Sequence, residues 1–146
     1  MNRAFALSTP DIDFNDPGVQ AAEIPSSNGI CTAEGLARLY GGLIGEVDGV
    51  RILDADATTA AIAEQAAGTD RVLLVPTRYA SGFMLPTAEA PLGGASSFGH
   101  PGRGGSLGFA DPDSGVAFGY VVNHIRQDLN DTRAATLVDA VNACLR

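Results

Sequence analysis

The stretch from Phe98 to Asn123, FGHPGRGGSLGFADPDSGVAFGYVVN, constrains the fold more than any other part of the chain. It reads as a short strand reaching His100-Pro101-Gly102, a glycine-rich turn, and then a β-hairpin. The hairpin arms are Ser106 to Ala110 and Val116 to Asn123, joined by Asp111-Pro112-Asp113-Ser114-Gly115. Proline after aspartate, with glycine at the far end, suits a type I turn followed by a left-handed residue. A hairpin this tight commits its strands to antiparallel pairing, because a parallel pair needs a long crossover.

The rest of the chain supplies helices on either side of that sheet. Residues 1–30 are broken by Pro10, Pro17-Gly18, Pro25 and Asn28-Gly29, and read as an irregular lead-in. Thr32 caps a helix from Ala33, with Leu36, Leu39, Tyr40 and Leu43 on one apolar face; Gly41-Gly42 and Gly45 weaken and end it. Asp54 or Asp56 caps a second helix over 57–67, so that 31–70 form a helical segment. From Arg71 the pattern turns to strands. Val72 to Val75 is a short strand candidate that Pro76 keeps from a central position, and Arg78 to Leu85 is a better one. Thr87 to Ala95 is a loop. A last helix, Thr132 to Leu145, is capped by Asp131 and carries Ala134, Val138, Val141 and Leu145 on one stripe. The expected fold is α+β: one partial domain over 1–146, with an antiparallel sheet of three to five strands in 71–146, a carboxy-terminal helix on it and two helices before it.

Charge narrows the partners. The net charge is −8, and all nine positive side chains are arginines. No basic cluster exists to neutralise phosphates, which argues against a nucleic-acid or anionic-membrane surface. No apolar run approaches the roughly 20 residues of a membrane span. The start is no signal peptide, and Cys31 and Cys144 lack metal-like spacing; two buried free thiols and a cytoplasmic location are the expectation. No cofactor is implied.

Several residues invite chemical readings. Gly104-Gly105-Ser106-Leu107-Gly108 matches G-x-S-x-G in form, but a nucleophile elbow needs a helix after the serine. Here another strand follows, so the match is read as accidental. Cys144 falls on the apolar side of the last helix, with nothing nearby to lower its pKa. Asp111 and Asp113 suit turn chemistry better than a metal, and His124 reads as a surface or cap residue. His100, at a strand end bordered by glycine, has a functional and a structural reading that stand side by side.

AAEIPSSNGICTAEGLARLYGGL, DGVRIL, TRYASGFML, FGHPGRGGSLGFADPDSG and AFGYVVN together resemble, in the same order, the carboxy-terminal part of the β-lactamase-related serine hydrolases. That superfamily holds class C β-lactamases, penicillin-binding-protein-like carboxypeptidases and esterases, and the similarity is closest to the esterase-like branch. The resemblance implies a partial β-lactamase/transpeptidase-like fold, with an active site between a helical subdomain and the sheet. It implies a catalytic role for His100-Pro101-Gly102 as the His-x-Gly form of the third family motif, His100 and Gly102 bordering the acyl group and the backbone N–H of Arg103 serving as an oxyanion donor. The other two motifs, Ser-x-x-Lys and Tyr-x-Asn, have no match; a chain without lysine cannot hold the first. The implied picture is a truncated hydrolase with Met1 in the middle of the family architecture, inactive alone. Its substrate would be a small acyl ester or amide, turned over only if a serine-bearing half complements it. The alternative is a non-catalytic module that binds a partner or self-associates as a homo-oligomer.

Overall fold

The computed structural model describes residues 13–25, 29–102, 104–126 and 131–145. Among the described residues four helices and five strands follow in the order α1 (Pro17–Ala21), α2 (Ala33–Ile44), α3 (Ala55–Ile62), β1 (Ala66–Thr69), β2 (Pro76–Tyr79), β3 (Phe98–Pro101), β4 (Leu107–Asp111), β5 (Val116–Tyr120) and α4 (Arg133–Cys144). The α+β class and antiparallel sheet of the sequence reading are what is found.

Within the expected irregular lead-in, α1 forms because the Asp16 carboxylate accepts from the N–H groups of Gly18 (2.6 Å) and Val19 (3.3 Å) while Pro17 sits at the first helical position. Thr32 caps α2 as expected, its hydroxyl accepting from Gly35 N–H at 3.0 Å. Gly41 and Gly42 do not end α2. Both are buried in the helix, and a Cβ on either would press on Val47 or Ile52. Close packing outweighs their poor propensity, and the helix stops at Gly45. Of the expected apolar face, Tyr40 and Leu43 are buried, whereas Leu39 is half exposed.

Three expectations are corrected between 55 and 85. The second helix stops at Ile62, and Ala66 and Ala67 join β1, opposite Tyr79 and Arg78. Ladder hydrogen bonding overrides the helical preference of alanine there. Val72 to Val75 is not a strand but the tip of the β1–β2 hairpin. The Asp70 carboxylate accepts from the N–H groups of Val72 and Leu73 at 2.7 Å each, and Leu74 takes a φ of 59°. This side-chain capture of the backbone competes with extended structure and prevails. The Arg78-to-Leu85 strand breaks after Tyr79 into a turn closed by Ala80 N–H on Phe83 O. Met84 continues the pairing, exchanging both backbone hydrogen bonds with Gly99.

Strands β3, β4 and β5 pair antiparallel in that order, with His100 opposite Gly108 and Gly108 opposite Gly119. The 111–115 turn is as expected, Gly115 taking the left-handed conformation at φ 68°. β4 is buried along its whole length because both faces of the sheet are covered. On one face α2 lies against β4 and β5. A Cβ on Gly108 would run into the Tyr40 ring, and one on Gly119 into the Ala33 carbonyl and, at 2.7 Å, the Ala37 nitrogen. Around this seat Tyr40, Leu43, Ala80, Leu85, Phe98 and Ala110 form one core cluster. On the other face Leu107, Phe109 and Leu92 pack with Val138 of α4, and Phe118 stacks on Phe109 at 5.1 Å.

Two expectations about α4 also change. Thr132 occupies the cap position without a side-chain bond, while Asp131 turns to Arg133. Leu145 leaves the apolar stripe and is exposed. Cys31 and Cys144 are free, but exposed rather than buried; Cys31 precedes α2 and Cys144 is the last residue of α4.

The glycine seat yields a stability prediction. Gly119→Ala should lower unfolding free energy by about 1–3 kcal/mol, the usual cost of overpacking. Gly29→Ala, where a Cβ meets nothing, should stay within about 0.5 kcal/mol. Urea unfolding followed by circular dichroism checks both; equal midpoints for the two variants would refute a backbone-level contact between α2 and β5.

Candidate functional site

Strand β3 leaves the sheet at the residues singled out by sequence. Phe98 and His100 alternate on the α2 face; Phe98 is fully buried, whereas His100, Pro101 and Gly102 are exposed. The imidazole Nδ1 of His100 lies 2.7 Å from the Pro101 carbonyl oxygen. Beneath this strand end sits Tyr40, whose phenol pKa is pushed up by burial, against the opposing pull of the His100 backbone N–H. The chain then closes into a compact turn. Gly102 N–H donates to Ser106 O at 2.7 Å, and Gly105 N–H donates to Gly102 O at 3.2 Å. Gly104 and Gly105 hold φ values of 92° and 106°, which side-chain-bearing residues rarely adopt. His100 and Gly102 are thus brought together at one exposed edge; Arg103 lies outside the described residues.

Two residues that the sequence reading did not select complete this turn. The Arg133 guanidinium donates to Gly104 O at 3.1 Å and to His124 O at 3.2 Å. Its Nε lies 2.8 and 3.0 Å from the two Asp131 oxygens, and Nη2 donates to Oδ2 at 2.5 Å. Hydrogen bonding from Arg133 holds the Asp131 carboxyl down to about 2, well below its ordinary range, against a smaller opposing effect of burial. A clue was available. An arginine at the first residue of a helix is disfavoured by the helix dipole, so its presence signals a tertiary partner.

The remaining candidates resolve into ordinary structural roles. Ser106 precedes β4, and a strand rather than a helix follows it, so no nucleophile elbow forms. Burial pushes the Asp111 pKa up, but hydrogen bonds from the Ser96 hydroxyl, Gly94 N–H, the Ser114 side chain and Asp113 N–H together bring it below its ordinary value. Its oxygens are taken by the turn, and no group of three or more metal-ligating side chains occurs among the described residues. His124 is exposed and contributes its carbonyl. A groove of about 360 Å³ is lined by Leu39, Gly42, Val47, Val50 and Ile52, among others; neither His100 nor Gly102 borders it. No helix among the described residues is long and apolar enough to cross a membrane.

Comparison with known proteins agrees on one lineage. A family model described as Beta-lactamase matches residues 3–143. The esterase/beta-lactamase LipL of Mycobacterium tuberculosis (strain ATCC 25618 / H37Rv) is 40% identical over 121 residues, covering 80% of this chain and 27% of LipL. The crystal structure of a family VIII carboxylesterase superposes with a TM-score of 0.80 at 36% identity, over 89% of this chain and 36% of that one. A penicillin-binding protein homologue from Caulobacter crescentus superposes with a TM-score of 0.70 at 39% identity, over 77% of this chain and 32% of that one. The 146 residues therefore span about a third or less of the length of these relatives.

Two outcomes follow from the geometry. His100→Ala, at an exposed position, should change stability by less than about 0.5 kcal/mol in urea unfolding; a larger loss would place the imidazole in the core. The Asp131 carboxyl, followed by NMR, should titrate near 2, and Arg133→Gln should move it up towards the ordinary value of roughly 3.9. Because the folded value lies below the unfolded one, the stabilisation by ionised Asp131 is full above the ordinary range and drains away as pH falls towards 2. An ordinary midpoint in the unaltered chain would mean that the ion pair is not formed.

Proposed function

We propose, from the premise that this chain belongs to the beta-lactamase family, that it supplies the oxyanion strand and one substrate wall of an esterase-like serine hydrolase. The observation that carries this reading is the exposed end of β3, where His100-Pro101-Gly102 runs straight into a compact glycine turn. In acyl transfer, negative charge grows on the carbonyl oxygen as the nucleophile adds, and N–H donors held on a rigid strand stabilise that charge without reorganising. His100, Gly102 and the N–H of Arg103 are assigned to that edge. The serine and lysine of a Ser-x-x-Lys pair must come from residues outside these 146, which contain no lysine. Nucleophile and base act as a unit, so the 146 residues by themselves are inactive by this mechanism.

The substrate class follows from the same three residues. Pro101 offers neither a side-chain donor nor an N–H. Such an edge has little to hold a substrate carboxylate, so an uncharged acyl ester or amide suits it better than a β-lactam acid. The free thiols at 31 and 144 accord with a cytoplasmic setting. A second reading, self-association through an apolar surface, is favoured by the exposed run Val72, Leu73, Leu74 and Val75.

The 146-residue chain should show no saturable hydrolysis of p-nitrophenyl acetate. Mixing with a polypeptide carrying the serine and lysine motifs of a relative should restore hydrolysis. Saturable turnover by the chain alone, abolished in Ser106→Ala, would overturn the assignment. Light scattering coupled to size exclusion separates the second reading, which requires a dimer or larger and fails on a clean monomer.

A further inference from the structure

The geometry points to Arg133 as the positioning residue of the β3–β4 turn: its guanidinium fixes Gly104, and with it the chain that carries the oxyanion donor. This rests on the functional reading above for the role of the turn, but the clamp itself is visible in the contacts. One planar group reaches two carbonyls from different segments, Gly104 at 3.1 Å and His124 at 3.2 Å. The Asp131 carboxylate grips its other edge and is itself only 10% exposed. The turn is shaped to receive the pair. A Cβ on Gly105 would meet Asp131 Oδ2 at 2.5 Å and Arg133 Nη2 at 3.0 Å, and one on Gly104 would meet Ile125 at 2.7 Å. Two consecutive positive-φ glycines meet the conformational requirement of the turn, and the second, Gly105, leaves the space in which the ion pair sits. Among the described residues, the other charged or titratable groups acting on the pair are Arg126 on Asp131 and Tyr120 on Arg133. A fork of donors in fixed geometry can hold both carbonyls and the carboxylate at once; a lysine ammonium of the same charge cannot. Arg133 touches no reacting atom in this scheme. It acts through Gly104.

Backbone amide exchange, read by NMR on the whole 146-residue chain, tests this. In Arg133→Gln, exchange at Gly102 and Gly105 should accelerate about tenfold or more, while Phe109 and Ala110 change by less than about twofold, the signature of local opening. Arg133→Lys should not restore protection. Asp131→Asn, which leaves the guanidinium in place but releases its far edge, should give a weaker version of the same pattern and serves if Arg133→Gln fails to fold. Unchanged exchange at Gly105, uniform acceleration through β4, or full protection with lysine would each overturn the clamp. When the chain is complemented by a serine-bearing partner, Arg133→Gln should lower kcat with KM unchanged, by on the order of tenfold or more for a misplaced donor; an unchanged kcat overturns the positioning role. If the unaltered chain gains no activity on complementation, the functional reading fails, while the exchange pattern still decides the clamp.

Discussion

Gly108 and Gly119 face each other across β4 and β5, and side chains at those positions would leave no room for α2. The helix touches the sheet backbone itself, with Ala33 and Ala37 over one glycine and the Tyr40 ring over the other. Most helix–sheet contacts are separated by a layer of side chains; here that layer is missing at the centre and is restored around it by Phe98, Leu43 and Leu85. Packing of this kind is unforgiving, because a close-packed interior absorbs even one added methyl group poorly. It also fixes the helix in rotation as well as in position, since only one face of α2 has the Ala33, Leu36, Ala37 and Tyr40 surface that fits.

From that seat the geometry of the β3 edge follows. Tyr40 lies over Gly108, which pairs with His100, so the same side chain that locks the helix also backs the strand end. On the opposite face Phe109, at 0% exposure, and Val138, at 1%, pin β4 to α4. Arg133, at the start of α4, then reaches the turn that follows β3. Both helices thus converge on β3 and the glycines at 104 and 105 by independent routes. A group of donors acts only when held within about 0.5 Å of its productive geometry, and convergent support of this kind is how a fold can hold backbone that closely.

The features legible in the sequence were those that local chemistry dictates. The 111–115 turn, the Thr32 cap and the antiparallel order of the last three strands each rest on residues adjacent in the chain. Legibility failed where a distant partner or a competing side chain decided the outcome. Ala66 and Ala67 would favour a helix, but β2 was there to pair with them. Val72 to Val75 has the composition of a strand, yet Asp70 folds it into a turn. Gly41 and Gly42 look like helix breakers, and become helix interior because Val47 and Ile52 need the space. For the site, His100 and Gly102 were visible as a glycine-bordered strand end, whereas Asp131 and Arg133 were not, their partner Gly104 lying 29 residues away. The dipole-opposed arginine at the head of α4 was the one sequence signal of that contact.

The position of charge beside this turn also bears on its local electrostatics. Among the described residues, the arginine that reaches the turn, Arg133, is already bound by Asp131 and two carbonyls. A guanidinium so occupied has few donors left for a substrate, and its charge is largely cancelled by the carboxylate at 2.5 Å. The same ion pair that shapes the turn thereby neutralises the guanidinium that supports it. Backbone support and local charge balance come from a single arrangement of side chains.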